Sequence, residues 1–310
     1  MNLCSVSIDL DEISHYFAIH GIDAQTPELA HLVYDRALER FARLAKECDI
    51  PLTFFAVASD LERPESAAAL KAMVEAGHEV ANHSLSHLYD LTRHAVSVQE
   101  TEVQDAIELI EACMGVRPTG FRAPGYTMTD ELMGVLSRSE VAYDSSVFPC
   151  PPYFGVKAAV LGLMRLRGRH SRSILDTPKV LTAPTRPYRV GTPYWSRGEG
   201  MLELPIQVVR KSRLPFIGTS LALAGPTRSC WLAAGVVGEP LVNIELHGVD
   251  LLDESDGLAA LVPHQPDLKI PYQQKFETFC AVVEVLKARG HRCVRLDEAA
   301  EHFQTHGLPS

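Results

Sequence analysis

Apolar and polar stretches alternate along most of the chain in the order strand, then helix. Short apolar runs bounded by polar residues predict strands, and apolar residues that recur every three or four positions predict amphipathic helices. This alternation is typical of a parallel β/α barrel. The predicted strands cover residues 3–8, 52–57, 141–143, 202–205, 241–246 and 293–295. The predicted helices cover residues 27–48, 67–75, 97–114, 129–137, 154–166 and 272–288.

The composition is that of an ordinary globular protein. The chain has 310 residues, 46% hydrophobic and 22% charged, and this length fits one barrel-sized catalytic domain over residues 1–310. There is no run of 18 apolar residues, so we expect no membrane span. The first predicted strand begins by Leu3, so we expect no signal peptide. Seven cysteines without Cys-x-x-Cys spacing predict reduced thiols and a cytoplasmic location.

The charge is distributed unevenly along the chain. Residues 151–213, the basic insertion, contain 12 Lys or Arg and three acidic residues, which gives +9 in a chain of net charge −10. An apolar helical stretch that ends in basic residues suits a membrane surface or a phosphate-bearing lipid. A helix that caps the barrel, with a solvated basic tail, is an equally good interpretation. The residues predicted to contact an anionic partner are Arg165, Arg167, Arg169 and Arg172.

Two histidines carry the clearest sign of chemistry. His83 and His87 are four residues apart, and on a helical turn, which we expect here, two such residues face the same way. Their imidazoles could bind one divalent cation with a third ligand from elsewhere, or could simply face water at a polar helix end. Asp9 and Asp11 follow the first predicted strand. One carboxylate could complete the metal site and the other act as a base; an acidic loop or helix cap is the alternative.

Three further apolar runs end in functional side chains, namely Arg122, Asp144 and His247. All of these residues fall at predicted C-terminal ends of strands, the face that carries the chemistry in a β/α barrel. Taken singly, Arg122 and Asp144 would be interpreted as a structural ion pair and His247 as a buried histidine. Their combination with the histidine pair favours a catalytic site instead.

These five segments, in this order, resemble the five motifs of the polysaccharide deacetylases, the NodB-homology domain or carbohydrate esterase family 4. The resemblance spans residues 9–247 and implies an α/β fold, a distorted (β/α)7-type barrel with an insertion at about residues 149–200. The first motif is Asp9-Leu10-Asp11 rather than adjacent aspartates, as in the branch of peptidoglycan deacetylase-like and lipid-linked aminoarabinose deformylase-like proteins. Gly125 is inserted before Tyr126 in the third motif, and Phe148-Pro149 stands where many relatives carry Trp.

The resemblance implies that Asp11, His83 and His87 hold one divalent metal ion. We expect Zn²⁺, with Co²⁺, Ni²⁺ or Mn²⁺ as alternatives. Such a site keeps open positions for water and a substrate carbonyl. Two histidines and one carboxylate also suit the Fe(II) oxygenases, and the surrounding motifs argue against that chemistry.

The resemblance also implies the acid and base. Asp9 would be the base, held ionised and oriented by a bidentate contact from Arg122. His247 would protonate the leaving amine, and Asp144 would fix its tautomer and raise its basicity. The residues expected at the substrate and its oxyanion are Gly125 and Tyr126.

The expected function is metal-dependent removal of an N-acyl group from an amino sugar, and acetyl is the first candidate for that group. A cytoplasmic location favours a soluble glycan precursor or a polyprenyl-phosphate-linked sugar over mature chitin or peptidoglycan. Of these two, the basic insertion favours the polyprenyl-phosphate-linked sugar. No nucleic acid partner is predicted. Deformylation, O-deacetylation and cyclic amide hydrolysis, all known in the superfamily, stay open. An inactive carbohydrate-binding barrel is the alternative of another class, which the intact set of predicted site residues disfavours.

Overall fold

A computed structural model of the chain describes residues 1–22, 27–166, 168 and 171–309. Within that part of the chain, nine strands form one sheet, and α-helices cover it. The strands are β1 (Asn2–Asp9), β2 (Thr53–Ala56), β3 (Glu79–Asn82), β4 (Gly120–Phe121), β5 (Tyr143–Asp144), β6 (Tyr188–Val190), β7 (Arg197–Glu203), β8 (Leu241–His247) and β9 (His291–Cys293). The helices are α1 (Ile13–His20), α2 (Leu38–Cys48), α3 (Pro64–Glu75), α4 (Val96–Met114), α5 (Asp130–Arg138), α6 (Pro151–Leu166), α7 (Gly218–Ala234), α8 (Tyr272–Ala288) and α9 (Leu296–His306).

The sheet curls into a partial barrel. Its strand order is β6-β7-β5-β4-β3-β2-β1-β8, with β9 added beside the start of β1. The strands pair in parallel except for β6 and β7, which are antiparallel. Beyond β7, Gln207 N donates to Asn243 O of β8 at 3.0 Å, and Asn243 Nδ2 donates to Leu204 O at 3.1 Å. The segment after β7 therefore bridges toward β8, which confirms the expected distorted barrel.

The two faces of β1 differ in polarity, and this difference positions the site. Cys4, Val6 and Ile8 belong to the main apolar core. Ser7 and Asp9 alternate with them, so they lie on the opposite face, because successive side chains of a strand point to opposite sides. Both are buried, and Ser7 Oγ donates to Asn243 Oδ1 on the adjacent strand β8 at 3.1 Å. This face of β1 thus contributes hydrogen-bonded polar groups to the interior of the barrel.

Most of the predicted helices are confirmed, including the N-cap of α5, where Thr129 Oγ1 accepts from Leu132 N at 3.2 Å. The predicted helix over residues 27–48 is wrong at its start. A 3₁₀ turn (Pro27–Leu29) and a π-helical turn (Val33–Ala37) precede α2. The buried carboxylate of Glu12 accepts from Val33 N at 3.1 Å and so satisfies a backbone donor at the π turn that the helix itself leaves free.

The basic insertion contributes α6, β6 and β7. No residue of α6 is buried. Arg165 lies on this helix and Arg172 beyond it, whereas the predicted contacts Arg167 and Arg169 lie outside the described residues. Within the described residues, none of the helices is both long and apolar enough to cross a bilayer.

Candidate metal and hydrolytic site

The predicted site residues lie at the C-terminal ends of parallel strands. Asp9 ends β1, and its neighbour in the sheet is His247 at the end of β8. Asp144 ends β5. Asp11 follows β1 by two residues, and His83 and Arg122 come directly after β3 and β4. Because these strands are neighbours in one curled sheet, their ends bring residues from distant parts of the chain to one edge of the barrel.

Asp11, His83 and His87 converge on one point, with their ligand atoms all within 4.8 Å of one another. Asp11 Oδ1 lies 3.2 Å from His83 Nε2 and 3.1 Å from His87 Nε2. All three residues are buried. Asp11 Oδ1 and both ring nitrogens of His87 lack a hydrogen-bond partner within the described part of the chain. Buried polar atoms are rarely left in this state, so the arrangement fits a cation between them.

The distances also suit a metal. Zn²⁺ ligands at about 2.1 Å in a tetrahedral arrangement lie about 3.4 Å apart, close to the separations found here. His83 Nδ1 is 2.8 Å from Arg122 O, so Nδ1 carries the proton and the lone pair of Nε2 faces Asp11. The residues present therefore fit a divalent cation.

The two histidines converge through a loop and not through the expected helical turn. After β3 the chain turns at Ser84 and His87, which both have positive φ (69° and 58°). Glu102 of α4 holds this loop, since its carboxylate accepts from Ser86 N at 2.9 Å and from Ser86 Oγ at 2.5 Å. His87 N in turn donates to Ser84 Oγ at 3.0 Å. The four-residue spacing works here because side-chain hydrogen bonds fold the loop back on itself.

Arg122 is fully buried and orients Asp9. Its Nη1 donates to Asp9 Oδ1 at 2.6 Å, while Nη2 donates to Ser7 Oγ and Ser145 Oγ, both at 2.9 Å. The contact with Asp9 therefore uses one guanidinium nitrogen and is not the bidentate pair expected from the sequence. The other Asp9 oxygen, Oδ2, lies 3.8 Å from His83 Nε2 and so faces the metal ligands.

His247 is paired with Glu245 rather than with Asp144. Its Nδ1 lies 2.9 Å from Glu245 Oε1, and its Nε2 lies 3.2 Å from the hydroxyl of Tyr126. Burial disfavours the charged imidazolium, but the negative charge of Glu245 outweighs it and raises the pKa of His247 well above its usual range. The sequence analysis missed Glu245. Its signal was the spacing Glu-x-His on a strand, which places both side chains on one face.

Asp144 has a different environment. Its carboxylate accepts from Ser146 Oγ at 2.7 Å and from Ser146 N at 3.3 Å. Burial raises the pKa of both Asp144 and the neighbouring Glu203, and the two carboxyls accordingly favour sharing a proton. Ser146 Oγ accepts from Ala123 N at 2.8 Å. Through its contact with Ser146, Asp144 thus supports the segment that carries Arg122.

Gly125 and Tyr126 form a tight turn after β4, with positive φ at both residues (63° and 60°). Tyr126 N donates to Ala123 O at 3.0 Å, so this amide is already engaged within the turn. Lys157 of α6 donates from Nζ to Gly125 O at 3.0 Å. The basic insertion therefore contacts the turn that we predict to face the oxyanion.

Comparison with known proteins supports the fold and the similarity to polysaccharide deacetylases. Residues 26–143 match the family model for polysaccharide deacetylase. The chain is 24% identical to a peptidoglycan deacetylase from Helicobacter pylori over 147 residues, 47% of this chain and 49% of that protein. It spans half or less of the length of the curated relatives that it matches.

Two solved structures share the fold along almost the whole chain. One, from Mycobacterium smegmatis, is assigned to the polysaccharide deacetylases. It has a TM-score of 0.60 at 16% identity and covers 100% of this chain and 94% of its own. The other is a carbohydrate esterase family 4 pseudoenzyme from Bacillus anthracis, with a TM-score of 0.52 at 12% identity, covering 96% of this chain and 65% of its own. At these identities the likeness concerns the fold alone. Over residues 26–143 the chain is also similar to the polysaccharide deacetylase family model.

Proposed function

We propose that this protein is a metal-dependent hydrolase that removes an N-acyl group from an amino sugar, with acetyl as the first candidate for that group. The observation that carries this proposal is the convergence of Asp11, His83 and His87, with buried and unpartnered ligand atoms, beside an acid–base set formed by Asp9 and His247. A divalent cation bound there would polarise the acyl carbonyl and lower the pKa of a water molecule. Zn²⁺ suits a nitrogen- and oxygen-ligand site of this kind.

The residues around that site have distinct tasks. Asp9, fixed by Arg122 through Oδ1, presents Oδ2 on the side of the metal ligands and accepts the proton of the attacking water. His247 carries a proton on Nε2, delivers it to the leaving amine and is held through Nδ1 by Glu245. The Tyr126 hydroxyl, 3.2 Å from His247 Nε2, marks the position where the leaving group must lie. Two proton-transfer residues, Asp9 and His247, next to the metal ligands favour hydrolysis over Fe(II)-dependent oxygenation.

The proposal extends to the substrate and its location. We propose a glycan precursor carried on a phosphate-bearing lipid at the cytoplasmic face of the membrane. The exposed apolar residues Val156, Val160 and Leu163 on α6 and the adjacent Arg165 support it, since an apolar stripe with a basic end suits an anionic lipid surface. The free thiols of all seven cysteines support a reducing compartment.

The proposed function is tested by metal content and acyl release measured together. We expect one Zn²⁺ per chain, and acetate release from an N-acetylated amino sugar that chelation abolishes. His87→Ala should lose both, whereas the control His306→Ala, an exposed histidine of α9, should lose neither. Asp9→Asn should keep the metal and lose about two to four orders of magnitude in rate. Formate release would instead indicate a deformylase. A faster reaction with O-acetyl or cyclic amide substrates would indicate an O-deacetylase or a cyclic amide hydrolase of the same superfamily.

The alternative of a carbohydrate-binding barrel predicts a different result. The Bacillus anthracis relative shows that this fold also occurs in a pseudoenzyme. Sugar binding without acyl release in the Zn²⁺-loaded protein would favour that alternative. A protein that takes up no divalent ion, or a His87→Ala variant that keeps both metal and activity, would overturn the metal assignment.

A further inference from the structure

A cavity of about 410 Å³ opens beside the candidate metal site, and His87 forms part of its wall. This volume falls within the range of pockets that hold small ligands, roughly 300–1,000 Å³. The side chains of His15 and Tyr89, whose rings each lie 4.5 Å from that of His87, also line it. A substrate whose acyl group lies at the metal ligands would extend into this space.

Two arginines from separate parts of the chain line the same cavity. Arg93 ends the 3₁₀ turn Leu91–Arg93, and Arg172 comes from the basic insertion. Within the described residues, neither guanidinium makes a hydrogen bond or an ion pair. Asp90 is the carboxylate in the wall, and its Oδ1 lies 3.2 Å from His94 Nε2. Asp90 therefore forms no hydrogen bond with the guanidinium group of Arg93 or of Arg172.

Unpaired guanidinium groups in a concave wall select for anions. A guanidinium presents N–H groups that match the oxygens of phosphate or carboxylate, and a cleft lined with charge of one sign concentrates ligands of the opposite sign. A neutral sugar would leave both charges without a partner. Arg93 also lines a second cavity, of about 390 Å³, that contains Trp195, so it is reachable from both spaces.

We propose that Arg93 and Arg172 bind an anionic substituent, a phosphate or a carboxylate, of the acylated amino sugar whose acyl group lies at Asp11, His83 and His87. The inference rests on the proposed function and adds the charge of the substrate. It also gives Arg172 a task distinct from that of Arg165, which lies on α6 and does not line this cavity.

The test compares the binding of three probes to the Zn²⁺-loaded protein by calorimetry. The probes are N-acetylglucosamine, N-acetylglucosamine 1-phosphate and N-acetylmuramic acid, which differ in carrying no anion, a phosphate or a carboxylate. We expect at least one anionic probe to bind more tightly than the neutral sugar. The double variant Arg93→Gln/Arg172→Gln should weaken that binding by about tenfold or more and leave the neutral sugar unchanged. Arg165→Gln, a cation of the same insertion outside the cavity, is the matched control.

The outcomes separate this inference from the proposed function, since binding requires no turnover. If the preference for an anion disappears in the double variant, the inference holds even where no acetate is released. It is overturned if neither anionic probe binds more tightly than N-acetylglucosamine, or if the double variant keeps the preference. Acetate release from the neutral sugar would still support the proposed function in that case.

Discussion

At the scale of single residues, the behaviour of His247 depends on one neighbour. Glu245 is fully buried, and its charge overcomes the effect of burial and raises the pKa of His247. A high pKa keeps the imidazole protonated at neutral pH, as a group that donates a proton to a leaving amine requires. If His247 acts as the proposed acid, we expect the alkaline limb of the pH–rate profile to belong to this pair.

Glu245→Gln should remove the charge that favours the imidazolium, so the pKa of His247 should fall. Less of the enzyme then carries the proton at a given alkaline pH, and the alkaline limb of kcat/KM should move to lower pH. The rate on an amide should fall by about tenfold or more, and the rate on an activated ester, whose leaving group needs little protonation, should fall less. Rate profiles between pH 5 and pH 10 on both substrates measure this.

Asp144→Asn is the matched control, because it removes the carboxylate first expected to pair with His247. We expect its alkaline limb to stay in place, since Asp144 contacts Ser146 instead. Glu245→Asp should restore part of the amide rate. An unchanged limb in Glu245→Gln, or an equal shift in Asp144→Asn, would contradict the assignment of Glu245 as the partner.

The residues that converge at the candidate metal site could be predicted from the sequence, and the partner of His247 could not. The structure brings Asp11, His83 and His87 together because short motifs at strand ends need little more than a parallel sheet to converge. The partner of His247 depends on which side chains face the barrel interior beside it. Asp144 and Glu245 are both carboxylates at strands of the sheet, and packing alone selects Glu245.

At the scale of elements, β4 and β5 owe their close approach to a glycine. A Cβ built on Gly120 would lie 2.1 Å from Cζ of Tyr143. Tyr143 is fully buried, and its hydroxyl donates to Glu79 Oε1 at 2.7 Å. The ring therefore packs directly on the backbone of β4, the strand that leads into Arg122.

Gly120→Ala should displace this ring and destabilise the fold by about 1–3 kcal/mol, as overpacking of a close-packed core does. Gly155→Ala is the matched control. Gly155 lies on exposed α6, and an added methyl group would meet nothing within 4 Å. This control should be neutral or slightly stabilising, since alanine favours a helix over glycine. Urea unfolding measures both changes, and an unaltered free energy of unfolding in Gly120→Ala would contradict the packing argument.

The element pattern followed from hydrophobic periodicity where elements are regular. Strands buried on both faces give continuous apolar runs, and amphipathic helices such as α2 and α5 give strong periodic signals. The loop from His83 to His87 and the π turn before α2 gave none, because a few hydrogen bonds accepted by the carboxylates of Glu102 and Glu12 decide their shape. The antiparallel strand β6 was missed for a related reason, since three residues are too few for an alternating pattern to emerge.

At the scale of the whole molecule, the +9 charge of the basic insertion does not form one uniform surface. Arg213 donates to the backbone of Leu181 and Ala183, and Arg189 donates to Gly200 O. Lys157 donates to Gly125 O. Lys157 holds the insertion onto the barrel, whereas Arg189 and Arg213 stabilise the insertion internally. The net charge of the segment therefore overstates the number of cations that are available to a partner.

The exposed part of the insertion that suits a lipid surface is α6. Val156, Val160 and Leu163 are 65%, 44% and 48% exposed, and their spacing places them along one stripe of the helix. Leu166, at the end of α6, is 86% exposed. An apolar stripe of this kind next to Arg165 would enter the headgroup region, and the cation would remain at the anionic surface.

We therefore expect the protein to bind vesicles that contain anionic lipid, and more weakly as salt is raised, because a cation near such a surface contributes about 1 kcal/mol and salt screens it. Val160→Ser/Leu163→Ser/Arg165→Gln should weaken sedimentation with these vesicles at least about tenfold, given the loss of both apolar burial and one charge. Leu223→Ser/Arg228→Gln, an exposed apolar and basic pair on α7, is the matched control and should bind as the unmodified protein does. Acyl release from a water-soluble sugar should stay unchanged in both variants, because neither touches the metal ligands. The prediction is contradicted if the protein does not bind anionic vesicles, or if neither salt nor the α6 substitutions change the binding. In that case α6 only covers the barrel, and it does not bring the enzyme to a membrane-bound substrate.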